Sequence, residues 1–146
     1  PILLKISPDL NSDNLKYLCE RVLSSKIDGL IVSNTTIARD SIADNIDQSG
    51  GLSGRPLFKS STQQLRRVFK YTNGRIPLIG VGGIDSAEKA YEKIKNGASL
   101  VQLYTGLVYN GPNLIKDINK NLSSLIKDDG YNNISEAVGA EVNFED

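Results

Sequence analysis

The sequence predicts an α/β protein built on a parallel sheet. Three observations carry this reading. Four short apolar runs occupy residues 2–6, 29–33, 77–81 and 100–104. Each run is nearly continuous rather than alternating, which suits strands covered on both faces. A helical pattern follows every run, so the order is β-α four times over.

The elements can be justified in turn. After the first run, Leu15, Leu18, Cys19, Val22 and Leu23 make one helical stripe, and Asn11 and Ser12 are good N-caps. The second run leads into a long polar, glycine-rich stretch over 35–56. A helix follows with Leu65, Val68 and Phe69 on one side, and Asn73-Gly74 ends it. After the third run, Asp85-Ser86-Ala87-Glu88 reads as a capping box. Ala87, Ala90, Tyr91 and Ile94 form the buried face of that helix, which stops at Asn96-Gly97. After the fourth run, Pro112 opens a helix carrying Leu114, Ile115, Ile118, Leu122 and Leu125. A short last helix is expected over 135–138, and 140–146 is expected to be a disordered acidic tail.

Composition narrows the function. The chain has 146 residues, 39% hydrophobic and 23% charged, which suits one ordinary globular domain. Lys+Arg is 17 and Asp+Glu is 17, so there is no basic excess for nucleic acid. No histidine is present, which excludes His-based triads and His metal sites within these residues. The single cysteine excludes an intrachain disulfide or a Cys cluster, and its place on an apolar stripe marks a core thiol. No apolar run approaches the roughly 20 residues of a membrane span. The first residues, Pro1-Ile2-Leu3-Leu4-Lys5, already read as a strand, so a piece of a longer protein is expected.

Two architectures fit four such units, a doubly wound open sheet and half of a (β/α)8 barrel. Gly80-Val81-Gly82-Gly83-Ile84-Asp85 stands where a strand meets a helix. Glycines there let backbone N–H groups approach an anion closely. It is not the dinucleotide fingerprint, since Asp85 takes the place of its last glycine. Leu103-Tyr104-Thr105-Gly106 repeats the arrangement one unit later. Two consecutive turns of this kind build the phosphate site after strands seven and eight of a (β/α)8 TIM barrel. The pair therefore points to the C-terminal half, the last four βα units, of such a barrel.

Other candidates lie at strand ends. Lys5 sits inside an apolar strand just before Ser7-Pro8, where it either snorkels from an edge or stands at the barrel mouth near an anionic ligand. Ser33-Asn34-Thr35-Thr36 offers donors and acceptors for a planar polar ligand, or a simple turn. Gly50-Gly51-Leu52-Ser53-Gly54 suits a backbone anion nest or a linker, and Arg55-Pro56 favours a fixed loop. Arg66-Arg67 and the scattered lysines read as solvated helix faces.

Taken together, these motifs resemble the dihydroorotate dehydrogenase family in order and spacing. They are Lys5-Ile6-Ser7-Pro8-Asp9-Leu10, Ser33-Asn34-Thr35-Thr36, Gly50-Gly51-Leu52-Ser53-Gly54, Gly80-Val81-Gly82-Gly83 and Leu103-Tyr104-Thr105-Gly106. The form Asn34-Thr35-Thr36, the Leu103-Tyr104 pairing and the tail from Gly130 to Gly139 resemble the quinone-dependent class 2 more than class 1. The likeness spans residues 1–139.

The resemblance implies FMN at the barrel mouth and oxidation of (S)-dihydroorotate to orotate in pyrimidine (UMP) synthesis, with ubiquinone or menaquinone as acceptor. It implies that Lys5, Ser33, Gly54, Gly83, Tyr104 and Thr105 bind FMN, with Ser53 and Gly82 in support. Asn34 and Thr35 would bind the substrate. No metal is implied. The class 2 base is a serine earlier in the barrel, so no catalytic base is assigned here, and these residues alone are expected to be inactive. Membrane association is implied through a missing N-terminal region, at a bacterial inner membrane (cytoplasmic face) or a mitochondrial inner membrane. The competing readings are another FMN- or phosphate-binding barrel enzyme, class 1 included, and a noncatalytic module that kept the fold.

Overall fold

The structure, a computed structural model, describes residues 1–42 and 49–144. The middle of the long polar stretch, 43–48, lies outside them. Four parallel strands, β1 (Leu3–Ile6), β2 (Gly29–Val32), β3 (Leu78–Val81) and β4 (Leu100–Gln102), lie side by side in chain order. Helices α1 (Ser12–Leu23), α2 (Phe58–Thr72) and α3 (Ala87–Lys95) connect them. Helices α4 (Thr105–Asn110) and α5 (Asn113–Asp128) follow β4, and a 3-10 turn spans Ile134–Ala137. The strand order runs one way without the reversal that marks a doubly wound switch point.

The pairing register sorts the strand residues onto two faces. Leu30 stands beside Leu78, and Ile6 beside Val32. These four pack with Leu15, Cys19, Val22, Leu65 and Val68 into the main core between sheet and helices. Burial raises the Cys19 thiol to about 11, with Glu20 adding to the effect, as suits an inert core thiol. Lys5, Ile31, Ile79 and Leu100 line up in register on the opposite face. That face is open at its edges: Leu3 and Leu100 are 40% and 64% exposed. The strands are thus apolar on both faces, while the helices described here cover one.

Helix ends follow local chemistry. Asn11 caps α1 by accepting from the Asn14 N–H at 2.9 Å. Asn73, at φ 50°, ends α2 in the left-handed conformation. The cap of α3 is Ser86, one residue later than the capping box predicts. Asp85 is unavailable because its carboxylate pairs with Arg55 and, at 2.8 Å, with Lys89. Helix α4 is a second departure from expectation. It buries none of its residues, so it shows no stripe to read, and Gly111 at φ 74° separates it from α5.

The disordered tail expected over 140–146 is not what residues 140–144 show. The Glu141 N–H donates to the Lys95 carbonyl at 3.0 Å, and Arg66 donates to the Glu141 carbonyl at 2.9 Å. Val142 is buried, and the Phe144 ring lies 6.0 Å from that of Phe69. Glu145 and Asp146 lie outside the described residues. Among those described, no helix is long and apolar enough to cross a membrane.

Candidate functional site

The C-terminal ends of all four strands open on one cavity of about 300 Å³. Its lining includes the eight positions that the resemblance gives to cofactor and substrate, Lys5, Ser33, Asn34, Thr35, Gly54, Gly83, Tyr104 and Thr105, but not Thr36, Gly50 or Gly51. A neighbouring cleft of about 620 Å³ shares Ser53, Gly54, Gly83, Thr105 and Gly106 with it and runs on to Arg55 and Tyr109.

Lys5 is the penultimate residue of β1 and is exposed on the open sheet face. The first strand then turns at Ser7-Pro8 and presents Asp9. The Asp9 carboxylate accepts from the Thr36 hydroxyl and, at 3.0 Å, from the Ile37 N–H. Asp9 therefore ties the loop after β2 to the end of β1. The sequence places Asp9 in a motif but gives no signal of this role, because its partner lies 27 residues away.

Beyond β2, Ser33 is buried and its N–H donates to the Val81 carbonyl at 3.3 Å. The Asn34 N–H donates to the Ile6 carbonyl at 2.8 Å. These bonds carry the chain into the cavity, where Asn34 and Thr35 are exposed. Asn34 Oδ1 accepts from the Thr35 N–H at 2.9 Å, which fixes the amide plane and leaves its NH2 to donate.

The glycine-rich segment is held in place and is not a loose linker. Thr36 and Leu52 exchange two backbone hydrogen bonds, at 3.2 and 2.7 Å. Arg39 Nη2 donates to the Gly50 carbonyl at 2.6 Å. Gly51 has to be glycine here, since a Cβ would stand 1.9 Å from Thr35 Oγ1. From this base the chain delivers Ser53 and Gly54 to the far side of the cavity. Thr105 Oγ1 donates to Ser53 Oγ at 3.0 Å, joining the loop after β2 to the end of β4.

The two anion turns pack backbone against backbone. Gly82 and Gly83 have φ of 113° and 72°. A Cβ on Gly83 would stand 2.8 Å from the Phe58 backbone nitrogen, and one on Gly106 would stand 2.3 Å from the Ile84 carbonyl oxygen. Thr105 and Gly106 open α4, where the first N–H groups have no intrahelical acceptor. Tyr104, by contrast, is 82% exposed and contributes a backbone position at the helix start.

Charge in the site favours an anion. The smaller cavity is lined by one lysine and by no carboxylate. Asp85, on the neighbouring cleft, is neutralised from two sides. Its burial favours the protonated form, but Lys89 and Arg55 outweigh this and hold the carboxyl below its usual range. Lys93 departs from the solvated face expected of it. It is fully buried, donates to Ser61 Oγ at 2.6 Å, and lies over the Phe58 ring at 5.2 Å. Burial pushes its ammonium down to about 7, with Glu92 opposing. A flavin phosphate fits this arrangement: glycines that no Cβ could replace, hydroxyls from Ser53 and Thr105, and no unneutralised carboxylate.

Comparison with known proteins agrees with the geometry. A family model described as dihydroorotate dehydrogenase matches residues 1–126. The chain is 52% identical, over 99% of its length, to a dihydroorotate dehydrogenase (quinone) of Parvibaculum lavamentivorans, of which it covers 42%. It is 49% identical, over 97% of its length, to a mitochondrial dihydroorotate dehydrogenase (quinone) of Oryza sativa subsp. japonica, of which it covers 31%. A solved structure from Eimeria tenella, DHODH in complex with ferulenol, superposes with a TM-score of 0.91 at 37% identity. That match covers 97% of this chain and 38% of the solved one. The chain thus spans well under half the length of these relatives.

Proposed function

The chain belongs to the dihydroorotate dehydrogenase family, and from that premise we propose that the protein carrying it oxidises (S)-dihydroorotate to orotate with a quinone as electron acceptor. The observation that carries the proposal is that the eight positions implied by the resemblance, distant in the chain, converge on one cavity at the strand ends. The quinone acceptor rests on the names of the relatives, which are quinone enzymes from both bacteria and mitochondria.

FMN is the cofactor that the site suits. Gly54, Gly83 and Thr105 would hold its phosphate and ribityl chain through backbone N–H groups, with Ser53 and Gly82 in support and Tyr104 at the same helix start. Ser33 and Lys5 would stand at the ring. When bound, the flavin supplies the two-electron acceptor for dihydroorotate oxidation. Lys5 supplies a fixed positive charge where negative charge develops, which is worth most in a site that excludes water. Asn34 and Thr35 orient the substrate ring and carboxylate through their amide and hydroxyl groups. No described residue is assigned as the base that removes the substrate proton.

The same reading places residues 1–139 as the last four units of a (β/α)8 barrel, with 140–144 packed on its outside. The open face through Lys5, Ile31, Ile79 and Leu100 would then meet the remaining strands in the barrel interior. Attachment to a bacterial inner or mitochondrial inner membrane would come from sequence outside this chain.

The test uses the protein at its full natural length. Dihydroorotate is added without oxygen, the flavin absorbance is followed, and a ubiquinone analogue is then added. Bleaching with quinone-dependent recovery is the expected result. Recovery with fumarate or NAD, but not quinone, would move the protein to class 1. Flavin indifferent to dihydroorotate would overturn the activity.

A further inference from the structure

Lys93 and Ser61 are both completely buried, and neither faces the cavity. Burying an ammonium opposite a neutral hydroxyl costs stability, and an apolar side chain of similar size would avoid the cost. What the pair does is visible in its next contact. Ser61 Oγ accepts from Lys93 at 2.6 Å. Its own proton is shared between the Phe58 carbonyl at 3.0 Å and the Gly82 carbonyl at 3.3 Å. The first is a local bond back along α2, which a helical serine makes unaided. The second crosses to the anion turn, and Lys93 holds the serine oxygen in reach of it.

The Gly82–Gly83 peptide is trans, so its C=O and N–H point in opposite directions. Anchoring the Gly82 carbonyl on Ser61 aims the Gly83 N–H the other way. No described residue accepts from that N–H, and Gly83 lines the cavity. Glycine on both sides leaves this peptide without the conformational restriction that side chains would impose. We infer that Lys93 is a positioning residue for the anion turn: acting through Ser61, it fixes the Gly82–Gly83 peptide so that the Gly83 N–H donates to the phosphate of the bound ligand. The inference rests on the FMN reading above.

The experiment compares two flavins that differ by that phosphate. Full-length protein stripped of flavin is titrated with FMN and with riboflavin, following flavin fluorescence, for wild type, Lys93→Met and Ser61→Ala. Circular dichroism and thermal melting report folding. Wild type is expected to prefer FMN strongly. Both variants are expected to fold and to lose about tenfold in FMN affinity, the worth of one hydrogen bond to a charged group, with riboflavin affinity unchanged. A purely structural role would weaken both flavins alike and overturn the inference, as would FMN affinity unchanged in folded variants. If Lys93→Met does not fold, Ser61→Ala decides, since it removes only the hydroxyl. A wild type with no preference between the flavins would overturn the phosphate reading itself, and this inference with it.

Discussion

Gly106 approaches Ile84 so closely that a Cβ on the glycine would lie 2.3 Å from the isoleucine carbonyl oxygen. This contact brings the turns after β3 and β4 together. Gly106→Ala is expected to force them apart. Overpacking of this kind costs about 1–3 kcal/mol. Purified Gly106→Ala protein is expected to melt at a lower temperature and to carry little flavin. Wild-type flavin content in the variant would show that the turns can separate without harm.

Lys5 is exposed, and among the described residues its side chain makes no hydrogen bond or ion pair. Lys5→Ala is therefore expected to leave the melting temperature and flavin content close to wild type. Flavin reduction by dihydroorotate should slow by about 10²–10³-fold, the usual loss when a preorganised electrostatic donor is removed. Anaerobic stopped-flow absorbance measures the rate directly, and an unchanged rate would remove Lys5 from the site.

Asn34 and Asp9 separate binding from scaffolding. Asn34→Ala removes an exposed amide from the cavity and is expected to weaken orotate binding about tenfold with flavin retained. Asp9→Ala instead releases the Thr36 hydroxyl and the Ile37 N–H. It is expected to lower thermal stability as well as orotate affinity. Equilibrium titration with orotate, beside thermal melts of the same preparations, distinguishes the two patterns.

Lys93 gives stability a definite pH dependence. Its ammonium ionises near 7 in the folded chain and at its ordinary 10.5 when unfolded. Between those values the unfolded chain holds more protons, so stability from this group rises with pH across the window. Below about 7 the full cost of burying the charge is present. In flavin-free protein, Lys93→Met is expected to be more stable than wild type at pH 6, with the difference shrinking toward pH 9. Urea unfolding at the two pH values checks the sign, and a constant difference would refute it.

Much of this was legible in the sequence, for identifiable reasons. Strand and helix positions came from apolar runs and stripes, which report burial directly. The turns after β2, β3 and β4 were legible because glycines and small polar residues cluster at strand ends, where a parallel α/β sheet binds its ligands, and the eight site positions came from the family resemblance of those motifs. Other features had no local signature. Lys93 sits beside Ile94, at the edge of an apolar stripe, and a lysine there looks solvated until Phe58 and Ser61 close over it. Asp9 owes its role to a partner 27 residues away, and Asp85 owes half of its to Arg55, 30 residues away. The packing of 140–144 depends on the Lys95 carbonyl at the end of α3 and on the Phe69 ring, neither of which the acidic tail announces.

The Thr36–Leu52 bridge has a consequence for how this family can vary. The bridge closes the base of the long loop, and Asp9 anchors one side of it. Asn34 and Thr35 stand just before the closure, and Ser53 and Gly54 just after it. Ligand positions on both strands of the stem are therefore insulated from whatever lies between. Doubling the length of a closed loop costs only about 0.6 kcal/mol. Length changes in this loop that keep Ile37, Arg39 and Gly50 can thus accumulate over evolution, or carry an engineered tag, without shifting the register of the site.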